Sequence, residues 1–139
     1  MSDDVRLLLE KLAGLLFQRR FDGMLQHVDL PLAIQVDGEM TAIPTPFAFA
    51  EMMTLYCDGL HGIGVTGITV RQTAIELPRK GRFRLWAEMD HQRPEGVTEG
   101  ADLFILYCRQ EGAAFRIELI HCVRLAILAA RAAPQARMA

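Results

Sequence analysis

Four side chains that carry acid–base chemistry in proteins lie in otherwise apolar stretches of this sequence: Tyr56, His91, Asp102 and His121. An imidazole titrates near neutral pH, and a carboxylate beside it selects one tautomer, so such a pair in a dry pocket is an effective general acid or base. A tyrosine hydroxyl in the same pocket would polarise a substrate carbonyl. These side chains act together only if the secondary structure brings them to one place.

Asp102 and His121 lie in two apolar stretches, 101–108 and 113–125, that are typical of neighbouring antiparallel strands. If the turn between these strands is centred just after Gln110, the two side chains are diagonal neighbours on the face of the sheet that meets the helices. Diagonal neighbours lie ~7–8 Å apart at Cα, within reach of a carboxylate and an imidazole. We therefore predict that His121 is the acid or base and that Asp102 orients it.

A third helix, over about residues 46–61, is predicted from Thr45 as its cap and from proline at its first position. Its apolar residues recur at helical spacing on one stripe: Phe49, Met52, Met53, Tyr56, Cys57 and Leu60. We expect this stripe to bound an interior pocket, with His91 added from a neighbouring strand. The predicted ligand-binding residues are Tyr56, His91, Met52, Met53 and Phe49.

Each of these side chains also has a purely structural interpretation. Asp102 follows a glycine at a strand start, where it would lie at a wet rim. His121 would be a core histidine bonded to a backbone carbonyl, and Tyr56 would contribute packing alone. Because shifted titratable groups are often structural, both interpretations stay open from the sequence.

The remaining stretches predict the elements that position these residues. An amphipathic helix and a short second helical piece, Met24 to Val28, come first. A short hairpin follows them, split by Asp37-Gly38, whose two positions accept the positive φ that a tight turn requires. After the third helix come four longer strands, predicted over 68–77, 82–92, 101–108 and 113–125. The order is ααββαββββ, an α+β fold of about six strands and three helices. We predict one domain over residues 1–139, with 126–139 as a frayed tail.

The last strands are apolar on both faces. The face turned away from the helices is predicted to carry Leu103, Ile105, Tyr107, Ile120 and Cys122 between charged residues. Such a surface is too apolar for contact with water alone. We therefore expect a homodimer formed through the outer face of the sheet.

Composition excludes several classes of function. The chain has 139 residues, 51% of them hydrophobic, and 15 Lys+Arg against 17 Asp+Glu, which leaves a net charge of −2. This balance predicts binding neither to nucleic acid nor to a membrane surface, and no apolar run approaches the ~20 residues of a membrane span. The three cysteines have no Cys-x-x-Cys spacing and the four histidines no i, i+4 pairs, so we expect a cytoplasmic protein without a metal site or cofactor.

The element order, with the stretch Arg20-Phe21-Asp22-Gly23 leading to Ile34-Gln35-Val36-Asp37-Gly38, resembles the nuclear transport factor two-like superfamily and its SnoaL-like branch. The resemblance covers about residues 3–125 and implies a cone, in which a curved mixed sheet wraps around the helices and leaves an apolar pocket. Ketosteroid isomerases, scytalone dehydratases and polyketide cyclases share this shape with non-catalytic modules. The shape alone therefore implies no activity.

Two functions follow from the residues and the resemblance together. The first is an interior pocket for a small apolar ligand, as in an isomerase, dehydratase or cyclase that uses general acid–base catalysis. The alternative is a non-catalytic dimeric module whose cavity is filled by its own side chains. The two differ in whether the cone contains a void of roughly 300–1,000 Å³.

Overall fold

A computed structural model describes residues 2–130 of the chain. The helices are α1 (Ser2–Phe17), α2 (Phe21–Met24) with a following 3₁₀ turn (Leu25–His27), and α3 (Pro46–Gly62). The strands are β1 (Val28–Val36), β2 (Glu39–Ile43), β3 (Gly67–Ile75), β4 (Arg82–Arg93), β5 (Gly96–Glu111) and β6 (Ala114–Arg124). The predicted order of elements is confirmed.

The strands form one mixed sheet in the order β2-β1-β6-β5-β4-β3. Strand β1 runs parallel to β6, and every other pairing is antiparallel. The curved sheet has the helices on its concave side, which confirms the predicted cone-shaped α+β fold. The long strands β4, β5 and β6 lie together in the sheet, so their inner faces form the floor beneath the helices.

Local sequence explains where helix α3 begins and which face it buries. The Thr45 hydroxyl accepts a hydrogen bond from the Ala48 backbone N–H at 3.1 Å, and Pro46 occupies the first turn, where no intrahelical donor is lost. Its buried side chains are Phe49, Met53, Cys57 and Leu60, on the predicted stripe. Complete burial of a side chain such as Phe49 stabilises the fold by about 1.5–3 kcal/mol, so this stripe holds the helix against the core.

The hairpin between β3 and β4 agrees with the predicted register only in the half that lies far from its turn. Arg71 lies opposite Glu88 and Val70 opposite Met89, as expected. A bulge after Gln72 then shifts the pairing, so Ala74 lies opposite Trp86 rather than Leu85. A bulge is one extra residue in one strand, and it has no repeating pattern that a sequence could show. It was therefore not predicted.

The hairpin between β5 and β6 contradicts the predicted register. The closing pair is Glu111 with Ala114, so the turn lies at Gly112, whose φ of 59° is favourable for glycine. Strand β5 therefore continues past the predicted turn. Leu106 lies opposite Ile120 instead of Phe115. Phe115 and Ile117 face the helices as predicted, but a bulge at Glu118 reverses the faces of the later side chains of β6, so Ile120 and Cys122 face inward.

The segment after β6 joins the fold. Residues 126–130 are helical, which adds a fourth helical segment to the three that were predicted. The Ile127 side chain lies beside Gly59 of α3, where a Cβ atom would be 3.1 Å from its Cγ2. These residues belonged to the predicted tail over 126–139, and the rest of that tail, 131–139, lies outside the described residues.

Candidate functional site

A cavity of about 300 Å³ lies between α1, α3 and the inner face of the sheet. Helix α1 contributes Leu12, α3 contributes Met52 and Met53, and the sheet contributes Met89 and Phe104 among others. Tyr56 is the one lining side chain with an oxygen or nitrogen atom in the part of the chain that the structure describes. The cavity is therefore an apolar space with one hydroxyl at its wall.

The structure brings some of the predicted ligand-binding residues to this cavity and not others. Tyr56, Met52 and Met53 line it. Phe49 does not, because it lies one turn earlier on α3 and is completely buried in the core. His91 is also absent from the lining and lies behind the wall, where it is 0% exposed.

Behind the wall, Tyr56, Asp102 and His91 form one hydrogen-bonded group. The Tyr56 hydroxyl donates to Oδ2 of Asp102, and Nε2 of His91 lies 2.9 Å from the same oxygen. The other oxygen, Oδ1, accepts from the backbone N–H of Ala126 at 2.8 Å. Asp102 is 0% exposed, and its side chain has three hydrogen-bond partners, as a buried polar group requires.

Strand geometry explains why these three side chains meet. Asp102 lies opposite Met89, and His91, two residues further along β4, lies on the same inner side because side chains alternate along a strand. Tyr56 projects from α3 onto this corner, and its oxygen also lies 3.4 Å from the Met89 sulfur. Since Met89 itself lines the cavity, the hydroxyl lies between the cavity and the buried carboxylate.

The predicted pair of Asp102 with His121 is wrong. His121 lies opposite Ile105 of β5 and Gln35 of β1, and its neighbours Ile120 and Cys122 line the cavity. Because side chains alternate along a strand, His121 points to the outer face. The error comes from the bulge before Ile120, since an extra residue moves every later side chain of the strand across the sheet. The imidazole partner of Asp102 is His91 instead.

Burial controls the titration of the groups at the cavity wall. Desolvation, reinforced by the Asp102 carboxylate, raises the pKa of Tyr56 well above 10.0, so the hydroxyl keeps its proton. Desolvation also raises the pKa of the Cys122 thiol to about 12, so Cys122 lines the cavity as a thiol rather than a thiolate. Neither group is an activated nucleophile.

An ion-pair cluster on the outer face connects the strands at the place where Asp102 is buried on the inner face. The Arg71 guanidinium donates to both oxygens of Asp90 at 2.8 and 3.0 Å, and Asp90 accepts from the Gly100 backbone N–H at 2.8 Å. Arg124 donates to the Gly100 carbonyl at 2.6 Å. The cluster therefore connects β3, β4, β5 and β6 directly behind the buried group.

We predict that Arg71→Ala destabilises the protein at neutral pH but not in acid. The Arg71 hydrogen bond is the main reason that the pKa of Asp90 lies below its ordinary value of 3.8. A lowered folded-state pKa contributes stability above 3.8, and this contribution is lost as the pH falls through the lower folded value. Urea unfolding at neutral pH and in acid measures the difference in the free energy of unfolding between the parent and Arg71→Ala. This difference should shrink as Asp90 protonates.

A matched control for this experiment is Arg6→Ala. Arg6 pairs with Glu10 at 3.1 Å on an exposed face of α1, where such a pair contributes little. A difference between Arg71→Ala and the parent that stays constant with pH would contradict the role assigned to Asp90.

Two parts of the site left no clear signal in the sequence. The Ala126 N–H that is donated to Asp102, and Ile127 at the cavity, come from the segment expected to fray. The pairing of His91 with Asp102 depends on the register between β4 and β5, in which Met89 lies opposite Asp102. The alternation of apolar residues along β4 is visible in the sequence and placed His91 on the correct face. It did not show that Asp102 is the partner of His91.

Within residues 2–130, no group of three or more His, Cys, Asp or Glu side chains is arranged to hold a metal ion. None of the helices in this range combines the length and apolar character needed to cross a bilayer.

Comparison with solved structures supports the fold. Aln2 from a Streptomyces species superposes with a TM-score of 0.65 at 11% identity, over 94% of this chain and 94% of that one. An NTF-2 like protein of unknown function from Shewanella oneidensis has a TM-score of 0.61 at 14% identity, over 87% and 97% of the two chains. An ntf2-like protein with a cystatin-like fold from Novosphingobium aromaticivorans has a TM-score of 0.60 at 11% identity, over 87% and 79%.

Sequence comparison adds no closer relative. No protein-family model matches the sequence, and no curated protein matches it. The similarity to the solved structures is therefore one of shape, and it confirms the predicted nuclear transport factor two-like fold. This shape is shared by proteins with many different activities, so it does not by itself assign one.

Proposed function

We propose that this chain, which has the nuclear transport factor two-like fold, binds a small apolar molecule in the cavity between α1, α3 and the inner face of the sheet. The observation that carries the proposal is the cavity itself, about 300 Å³ of space with Tyr56 as its one oxygen-bearing side chain among the described residues. A volume of this order lies at the lower end of ordinary ligand pockets. Water is a poor occupant because a buried water needs about two to four polar partners.

Access to the cavity supports the same function. Leu55 of α3 is 66% exposed and also lines the cavity, so the cavity wall reaches the surface at this point. Methionines at Met52, Met53 and Met89 supply flexible, polarisable surface that adapts to a ligand's shape. The alternative of a cone filled by its own side chains expects solid packing where this space lies.

Mass spectrometry tests the proposal most directly. The protein is purified from its host without detergent, denatured in organic solvent, and the released small molecules are compared with those from a heat-treated sample. We expect one apolar molecule in stoichiometric amount, and displacement of the fluorescent dye Nile red when that molecule is added to the empty protein. Absence of both a released molecule and dye binding would refute a ligand pocket.

Acid–base catalysis is a second candidate, favoured by one observation. A continuous hydrogen-bond chain runs from the cavity wall at Tyr56 through Asp102 to His91. Such a chain would let Tyr56 exchange a proton with a bound substrate while Asp102 compensates the charge. Incubating the released molecule with the parent and with Tyr56→Phe distinguishes the candidates, because only a catalyst changes the molecule's mass or structure.

We also propose that two copies of the chain associate through the outer face of the sheet. In the structure this face carries Ile105, Tyr107 and Leu119, whereas Ile120 and Cys122, expected there, face the cavity. The bordering charges are already paired within the chain, as in Arg82 with Glu118 at 2.9 Å. Two identical patches therefore meet without an excess of one charge.

Replacing Ile105 with glutamate tests this association. A charge at the centre of an apolar twofold contact stays unpaired and is repelled by its own copy, so we expect the parent to be a dimer and Ile105→Glu a monomer at micromolar concentration. Light scattering measures the mass. Val97→Glu, at an exposed position near the start of β5, is the control. A monomeric parent would refute the dimer.

A further inference from the structure

The Tyr56 hydroxyl has one proton to donate, and a group outside the cavity accepts it. That hydroxyl has two acceptors within reach, the Asp102 carboxylate and the Met89 sulfur at 3.4 Å. A carboxylate is a far stronger acceptor than a thioether, and hydrogen bonds to an ionised group are about twice as strong as neutral ones. The single tyrosine proton therefore points to Asp102, away from the cavity.

The arrangement around His91 explains why Asp102 acts as the acceptor. Nδ1 of His91 is buried without a hydrogen-bond partner among the described residues, and Nε2 lies 2.9 Å from Asp102. A proton on Nδ1 would be an unpaired buried donor, whereas a proton on Nε2 is donated to the carboxylate. The favoured tautomer thus gives Asp102 donors from Tyr56, His91 and the Ala126 backbone.

The cavity consequently offers a ligand an acceptor and almost no donor. The lone pairs of the Tyr56 oxygen remain free to accept a hydrogen bond. The other lining side chains of the described residues present carbon or sulfur, and the Cys122 thiol is the weak donor among them. A carbonyl or ether oxygen placed at Tyr56 would meet lone pairs, whereas a hydroxyl or N–H would be paired.

We propose that the cavity selects apolar molecules that carry one hydrogen-bond donor, a hydroxyl or N–H, over molecules of the same shape whose polar atom is an acceptor only. This inference rests on the proposed function, since it specifies the ligand of the same cavity. It assigns Tyr56 as the specificity-determining residue, with Asp102 and His91 as the positioning residues that hold its proton away from the ligand.

The test compares three probes of similar shape: naphthol as donor, methylnaphthalene as apolar reference and naphthaldehyde as acceptor. Calorimetric affinities are measured for the parent and for Tyr56→Phe. We expect the affinity of naphthol relative to methylnaphthalene to fall about tenfold in Tyr56→Phe, the equivalent of one neutral hydrogen bond. The ratio removes the difference in hydrophobicity between the probes, which both proteins share. The control is Tyr107→Phe on the outer face, which should leave the affinity of naphthol relative to methylnaphthalene unchanged.

A second variant keeps the proposal falsifiable if Tyr56→Phe does not fold. In Asp102→Asn the side-chain amide can donate to the Tyr56 oxygen, which frees the tyrosine proton for the ligand. We expect the preference to reverse, with naphthaldehyde gaining and naphthol losing affinity relative to methylnaphthalene.

The outcomes separate the inference from the proposed function. Binding of all three probes with the same relative affinities in the parent, Tyr56→Phe and Asp102→Asn would overturn the inference and leave the ligand pocket intact. Failure of the parent to bind any of the probes, together with an empty cavity after purification, would overturn both.

Discussion

Asp102→Ala is expected to lower the free energy of unfolding by about 3 kcal/mol or more, because each buried donor left without an acceptor costs about 1–3 kcal/mol. The substitution leaves the Tyr56 hydroxyl, the His91 ring and the Ala126 N–H without their acceptor. All three lie in or beside the core, so water does not replace the lost oxygens at low cost. Urea unfolding measured by circular dichroism gives the value directly.

A matched control separates burial from charge. Asp58 pairs with Arg19 at 2.8 Å, but both side chains are largely exposed, so Asp58→Ala should cost about 0–1 kcal/mol. A second comparison is the double variant in which His91→Phe is added to Asp102→Ala, since it removes one orphaned polar ring and should recover part of the loss. A loss for Asp102→Ala no larger than for Asp58→Ala would show that the buried group does not hold this corner of the fold.

The second large effect is expected from filling the cavity. Ala87 is 1% exposed on the inner face of β4 and lines the cavity, so Ala87→Phe directs an aromatic ring into the empty space. We expect dye or ligand affinity to fall by about a hundredfold or more, roughly 2.7 kcal/mol. Stability should change little, because the ring occupies space that is already present instead of displacing packed atoms.

The control for this experiment is Ala74→Phe, which adds the same ring at an exposed position of β3. Dye binding by titration and urea unfolding are measured for both variants. Undiminished dye binding by Ala87→Phe would show that the dye lies elsewhere, and the cavity would then lose its support as the binding site.

Local features were readable from the sequence because local forces produce them. The Asp37-Gly38 turn forms with φ of 50° and 79°, as a tight hairpin requires, and Thr45 caps α3 as its position before Pro46 predicted. The apolar stripe of α3 predicted which helical face is buried, since burial follows the helical period. The order of elements followed from the same patterns, whereas the sheet curved around the helices was implied by the resemblance to the nuclear transport factor two-like superfamily.

The acid–base residues show where this reasoning fails. Tyr56, His91 and Asp102 were each recognised, and the structure brings them together, but the sequence paired Asp102 with His121. The register of β4 on β5 and the bulge at Glu118 of β6 decide this difference, and both depend on contacts across strands. A bulge costs little locally and is selected by how well the whole sheet packs, so it has no periodic signal.

The sequence by itself determined the helices, the strands, their order and the residues with chemical potential, because propensity, capping and hydrophobic period act over a few neighbouring residues. Only the tertiary structure decided which imidazole meets Asp102, which residues line the cavity and which side chains lie on the outer face of the sheet. Those outcomes depend on strand register and on the segment around Ala126, which closes over Asp102 from 24 residues away. Register is a property of two strands at once, and a shift of one position exchanges the inner and outer faces.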